Sequence, residues 1–251
     1  MGEPILVLES VRKAYGALTV SDDVSMSVER GAVHALIGPN GAGKTTLVGQ
    51  IAGQILSDAG TILFDGRNIT REPIHARSHL GLARTFQITS MLPAFTVLDN
   101  VAVAAQAHAG HSFRFLRPVA AEASLNDKAM RALEAVGLAD RAPMLAGALS
   151  HGEKRRLEIA IALATEPSLL LLDEPMAGVG REETERLVAT LQALRGQVSL
   201  LLIEHDMQAV FALADRITVL DYGRVIAEDT PDAIRANSEV RAAYLGEEGV
   251  A

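Results

Sequence analysis

Residues 31–47 read GAVHALIGPNGAGKTTL, and this stretch decides the fold. GAVHALIG is a short apolar run ending in glycine, the pattern of a buried strand. The following GKTTLVGQIAGQI has helical spacing. Between them, GPNGAGKTT satisfies G-x-x-x-x-G-K-[ST] with Gly38, Gly43, Lys44 and Thr45. A polyphosphate needs several backbone N–H donors pointing inward, and only a glycine-rich turn lets the chain wrap that closely. Gly38, Pro39, Asn40, Gly41, Ala42, Gly43, Lys44, Thr45 and Thr46 are therefore the candidate polyphosphate cradle. Lys44 offers a point charge to the β- and γ-phosphates, and Thr45 a hydroxyl to Mg²⁺.

Two further apolar runs, SLLLLDEP and VSLLLIEH, end in charge and read as central strands of a parallel sheet, buried on both faces. In such a sheet a carboxylate at a strand tip stands beside the phosphate loop. Asp173 is the candidate Mg²⁺ ligand and Glu174 the candidate general base. Glu204, His205 and Asp206 repeat the layout past the second run, where His205 is placed to hydrogen-bond the γ-phosphate.

Working outward, ILVLESV and VSMSVE read as strands, and TILFDGRNIT as a hairpin turning at Asp65-Gly66. ITVLDYGRVIAE is a second hairpin. Residues 89–165 are Ala- and Leu-rich with few strand signals, and read as several helices. The expected organisation is an α/β P-loop NTPase (RecA-like) core with an N-terminal antiparallel β subdomain over 1–88 and 166–229. A helical subdomain over 89–165 is inserted in it, and a helical tail covers 230–251.

Composition narrows the partners. Of 251 residues, 31 are Asp or Glu and 23 Lys or Arg, a net charge of −8 that argues against a nucleic-acid face. With no cysteine, disulfides and thiolate metal sites are excluded and a reducing cytoplasm is the expected setting. MGEPILVLES lacks the basic start and long apolar stretch of a signal peptide, and no apolar run reaches the roughly 18 residues of a membrane span.

ALSHGEKRR, residues 148–156, is a helix start capped by Ser150, with Gly152 keeping the first turn bare. Such a start is an anion site. With these residues in hand, the chain resembles the ATP-binding subunits of ABC transporters along almost its full length. Gln87, in RTFQ, matches that family's glutamine loop, which the resemblance implies as a Mg²⁺ and water sensor linked to the membrane partner. His205 matches its switch histidine, and Tyr15 stands where the family stacks an aromatic on adenine.

Leu149–Glu153 matches the Leu-Ser-Gly-Gly-Gln signature. The resemblance implies that Ser150, Gly152 and Glu153 meet the γ-phosphate held by a second ATPase subunit, identical or different. His151 and Glu153 depart from the signature. Glu153 brings negative charge that opposes ATP, and His151 offsets it when protonated. Gly180 stands where the family carries an aspartate, so cross-talk through that residue must be weaker or rerouted.

The stretches GLARTFQITSMLPAFTVLDNVAVAA, LSHGEKRRLEIAIALATEPSLLLLDEPMAGV and DTPDAIRANSEVRAAYLGEE are similar to the branched-chain (hydrophobic) amino acid importer subfamily. That implies permease subunits, a periplasmic solute-binding protein and a place on the cytoplasmic face of the membrane. Residues 88–105 would form the socket for a permease helix; Met91, Leu92 and Phe95 read equally as its docking cluster or as core of the helical insert. HAGHSFRFLRP, residues 108–118, reads as a plain surface loop or as a contact with lipid headgroups or partner. Relatives for urea, short amides or aromatic acids stay open, as do a non-transport ABC ATPase acting on DNA or ribosomes and a small-molecule P-loop kinase.

Overall fold

The computed structural model describes residues 3–85, 91–108 and 123–245. Five short strands form the central sheet: β3 (Val33–Ile37), β6 (Leu82–Arg84), β7 (Leu169–Asp173), β8 (Ser199–Ile203) and β9 (Arg216–Asp221). With β10 (Arg224–Asp229) at the edge, the order is β10-β9-β3-β8-β7-β6, and only the β9–β10 pairing is antiparallel. Every residue of β3, β7 and β8 is buried. The period of 2 sorts them. Leu169, Leu171, Leu201 and Ile203 face one core; Leu170, Leu172, Leu200 and Leu202 face the other. Covering both faces is why these strands read as unbroken apolar runs.

One cover is a four-stranded antiparallel sheet of β1 (Pro4–Tyr15), β2 (Leu18–Glu29), β4 (Ala59–Phe64) and β5 (Arg67–Asn68), in the order β2-β1-β4-β5. Its inner side chains Leu6, Leu8, Ile62 and Phe64 share a core with Leu47, Val48 and Ile51 of α1 (Lys44–Ala52). The other cover is helical: α3 (Val97–His108), α4 (Ala123–Ala135), α5 (His151–Leu163) and α6 (Arg181–Leu194) pack Val101, Leu133, Leu157 and Leu187 against the sheet.

Arg77, on the short helix α2 (Ile74–His79), is 1% exposed. It donates to the carbonyls of Gln50 and Ile51 at 2.7 and 2.6 Å and to those of Glu72 and Thr70, which satisfies the open end of α1.

Both expected hairpins form. Asp65 and Gly66 sit at φ +49° and +72°, and Tyr222 and Gly223 at +41° and +78°, the positive-φ pair that a two-residue turn with native twist requires. The first two strands are longer than their apolar runs: polar Arg12, Lys13, Asp22 and Asp23 lie within them, where the ladder passes through several register shifts. Neither α2 nor β6 was legible: each is too short for a period. Asp206 caps α7 (Met207–Leu213), and Thr230 caps α8 (Pro231–Ala236). Among the described residues no helix is long and apolar enough to cross a membrane.

Candidate nucleotide-binding site

The phosphate loop leaves the carboxyl end of β3 and enters α1 at Gly43, φ +102°, with no side chain capping the helix. The first N–H groups of α1 are thus offered outward to an anion. Two glycines are fixed by neighbours rather than ligand: a Cβ at Gly38 would collide with the Leu220 carbonyl of β9, and one at Gly43 with the Val20 carbonyl of β2. Gly41, φ +83°, faces open space. Lys44 Nζ folds back onto the Gly38 and Pro39 carbonyls at 2.7 and 2.9 Å. Burial pulls its pKa down, and the Glu174 and Asp173 charges oppose that pull. Lys44 therefore lies within the field of both acids. Asn40 and Thr45 are exposed, and Pro39 and Thr46 half-buried.

Asp173 ends β7 at 1% exposure. One oxygen, Oδ2, accepts from Arg84 Nη2 at 2.7 Å; the other, Oδ1, is buried without a hydrogen-bond partner. A buried carboxylate oxygen left unpartnered, in the field of Lys44, fits a hard cation. Among the described residues no cluster of three or more His, Cys, Asp or Glu could hold a metal alone. That donor set suits Mg²⁺, which is commonly held by one or two side chains together with phosphates and water.

Glu174 follows at φ +47°, and its N–H donates to Ile203 O at 2.9 Å. The neighbouring strand ends in Glu204, which is fully buried. Its carboxylate accepts from the N–H groups of Met176 (2.7 Å), His205 (2.9 Å) and Asp206 (3.3 Å). The His205 side chain is 61% exposed, with Nδ1 3.6 Å from Glu204 Oε2.

The helix start at Ser150 forms a capping box. Ser150 Oγ accepts from Glu153 N at 3.2 Å, and Glu153 Oε2 accepts from Ser150 N at 2.9 Å. The Ser150 side chain also hydrogen-bonds the Glu153 carboxylate, so hydroxyl and carboxylate form one closed unit. Two expectations change here. Glu153 does not stand as bare negative charge. Its carboxyl is held below the usual range first by the Ser150 N–H, and Arg141 Nε donates to it at 3.0 Å. Nor is the space at Gly152 open: a Cβ there would run into the Glu183 carboxylate of α6. His151 reaches Gly178 in the loop after β7, 3.6 Å from a Cβ placed there. Gly180 leaves α6 without a side-chain cap.

Tyr15 lies at the β1–β2 turn, 52% exposed, with Lys13 Nζ 5.3 Å from its ring centre. Gln87 and Ile88 lie outside the described residues, as does most of residues 108–118. Of the expected docking cluster, Leu92 and Phe95 are exposed (42% and 47%), while Met91 packs on the helical core. Beside Met91 runs a groove of about 360 Å³ lined by Ile74, His79, Ala83, Arg84, Ala104 and Ile161.

Two residues of the site escape the sequence, and so does the inward turn of a third. Arg84 belongs to an edge strand of three residues with no pattern. Arg155, which donates to the Glu174 and Pro175 carbonyls, looks like one cation among several in GEKRR. Glu204 had a signal, an acid directly after an apolar strand, but nothing in the sequence shows that it turns inward.

A glycine-rich loop opening a helix, with acids on neighbouring strand ends, is the layout of a P-loop NTPase. Residues 21–177 match the family model described as ABC transporter, and residues 224–250 that described as branched-chain amino acid ATP-binding cassette transporter. The chain is 39% identical to the high-affinity branched-chain amino acid transport ATP-binding protein BraF of Pseudomonas aeruginosa, over 98% of this chain and 100% of that one. Against the corresponding LivG of Escherichia coli it is 36% identical at the same coverage. A solved ATP-binding cassette of an ABC transporter, in its ADP conformation, superposes with a TM-score of 0.86 at 31% identity, covering 98% of this chain and all of that one. The chain belongs to the ABC transporter family, as one of its ATP-binding cassettes, and it is an ATPase.

Proposed function

We propose that this chain is the ATP-hydrolysing subunit of an importer for branched-chain or other hydrophobic amino acids. It works as one of two ATPase subunits beneath permease subunits, on the cytoplasmic face of the membrane, with a periplasmic solute-binding protein delivering the solute. The observation that carries the solute class is the match of residues 224–250 to the branched-chain family, alongside relatives so named that align end to end.

In this reading Lys44 and the loop N–H groups bind the triphosphate, Thr45 and Asp173 hold Mg²⁺ with Gln87, and Tyr15 stacks on adenine. Bound Mg²⁺ supplies neutralisation of phosphate charge. Glu174 orients and deprotonates the attacking water, and His205 hydrogen-bonds the γ-phosphate. Ser150 and Gly152 of a facing subunit complete the enclosure, Ser150 through its hydroxyl and Gly152 through its N–H. Glu153 serves that surface from within its capping box. Positioning and charge stabilisation supply most of the rate gain. The groove beside Met91 receives the permease helix, with Leu92 and Phe95 at its approach.

The test is co-purification with the membrane partners, reconstitution, and ATPase assay with the binding protein loaded in turn with leucine, urea, a short amide or an aromatic acid. Stimulation by leucine is expected. Stimulation only by another solute overturns the solute class, and stimulation by DNA or ribosomes instead of membrane partners overturns the transport reading.

A further inference from the structure

Arg155 sits one turn into α5, the helix that begins at Ser150, and reaches across to the loop that carries Glu174. Its Nη2 donates to Glu174 O at 2.7 Å and its Nε to Pro175 O at 3.0 Å. Nη1 pairs with Glu158 at 2.7 Å. The two side chains are 14% and 10% exposed, so these charge-assisted bonds are shielded from water. Glu174 needs such holding: at φ +47° its backbone lies where glutamate is disfavoured. Its own N–H is already engaged by Ile203 O. From the far side, Glu204 accepts the Met176 N–H. The three residues after Asp173 are thus gripped from α5 on one side and from the end of β8 on the other.

We propose that Arg155 is a positioning residue for hydrolysis: by binding two successive carbonyls it holds the Glu174 backbone in its left-handed conformation and ties that glutamate to the helix that starts at Ser150. The proposal rests on the reading of Glu174 as the group that activates water. Arg155 touches neither nucleotide nor water; it acts through the aim of Glu174.

The experiment is a double-mutant cycle on the full chain. Arg155→Gln and Arg155→Lys are made in the parent and in Glu174→Gln, and kcat, MgATP affinity and Tm are measured. In the parent, Arg155→Gln is expected to lower kcat by about 10- to 100-fold, the scale of a small misplacement of a reacting group, with MgATP affinity within about twofold. Arg155→Lys, still able to reach one carbonyl, should fall between. In Glu174→Gln the same Arg155 changes should alter residual hydrolysis less than about twofold, because the group they aim is gone. Parental kcat in Arg155→Gln overturns the proposal. So does an equal fold-loss in both backgrounds, or kcat, affinity and Tm falling together even in Arg155→Lys, since each would mean that Arg155 only supports the fold. Parental turnover by Glu174→Gln alone would instead overturn the reading of the site.

Discussion

Arg84 and Asp173 form an ion pair of 2.7 Å in which both side chains are nearly buried, 11% and 1% exposed. The pair joins the outermost strand of the parallel sheet to its neighbour, and Arg84 also donates to Gln54, beyond the end of α1. It occupies one carboxylate oxygen and leaves the other for a cation. Charge at the strand tip is therefore balanced before any ligand arrives.

Removing Arg84 leaves a buried carboxylate without its partner, a change that typically costs about 3–5 kcal/mol. Arg84→Met should lose stability on that scale in EDTA, read by urea denaturation. MgATP should restore part of the loss, since a cation at Asp173 replaces the missing charge. A variant equally unstable with and without MgATP would show that Asp173 does not face the cation.

Glu174→Gln keeps the size and backbone hydrogen bonding of the residue but removes its basicity. Hydrolysis should fall roughly 10²-fold or more, with ATP binding retained. The variant should then accumulate as a closed dimer with ATP, visible by size-exclusion chromatography. Parental turnover would assign the base elsewhere.

Ser150 lies outside the loop that binds phosphate in its own chain, and its hydroxyl oxygen already accepts from Glu153 N. Ser150→Arg should therefore leave nucleotide binding to a single chain unchanged while abolishing hydrolysis, as seen by equilibrium binding beside an ATPase assay. Loss of binding in the monomer would mean that the helix start acts within one chain.

The legible parts of this protein share a physical character. Lys44 and Asp173 announce themselves because a glycine turn and an acid after Leu169–Leu172 each break a strong local pattern. Arg84 and Arg155 follow no such rule, and nothing local shows that Glu204 turns inward: the contacts that matter are made by the fold, from 19 residues away for Arg155 with Glu174 to 89 for Arg84 with Asp173. The capping box was half legible. Ser150 reads as a cap, but Glu153 reads as a charge opposing ATP when it completes the cap itself. Gly152 reads as bare helix in sequence, and only the packing of α6 shows that Glu183 fills the gap.

His34 gives the pH dependence. It is 1% exposed within β3, and its Nε2 lies 2.7 Å from Thr218 Oγ1 of β9. Burial, aided by the positive charge of Arg216, pushes its pKa down from 6.5 to about 4. The folded protein thus holds His34 neutral where the unfolded chain would bind a proton. The stabilisation is present in full above pH 6.5 and is lost as pH falls from 6.5 towards 4, by about 3 kcal/mol in total. Below about 4 both states are protonated and the dependence from this group ends. His34→Gln can still hydrogen-bond but cannot titrate. Carboxylates common to parent and variant cancel in the difference between their denaturation free energies. That difference should change by about 3 kcal/mol between pH 7 and pH 4, the parent losing more. A flat difference would mean that His34 is protonated inside the sheet.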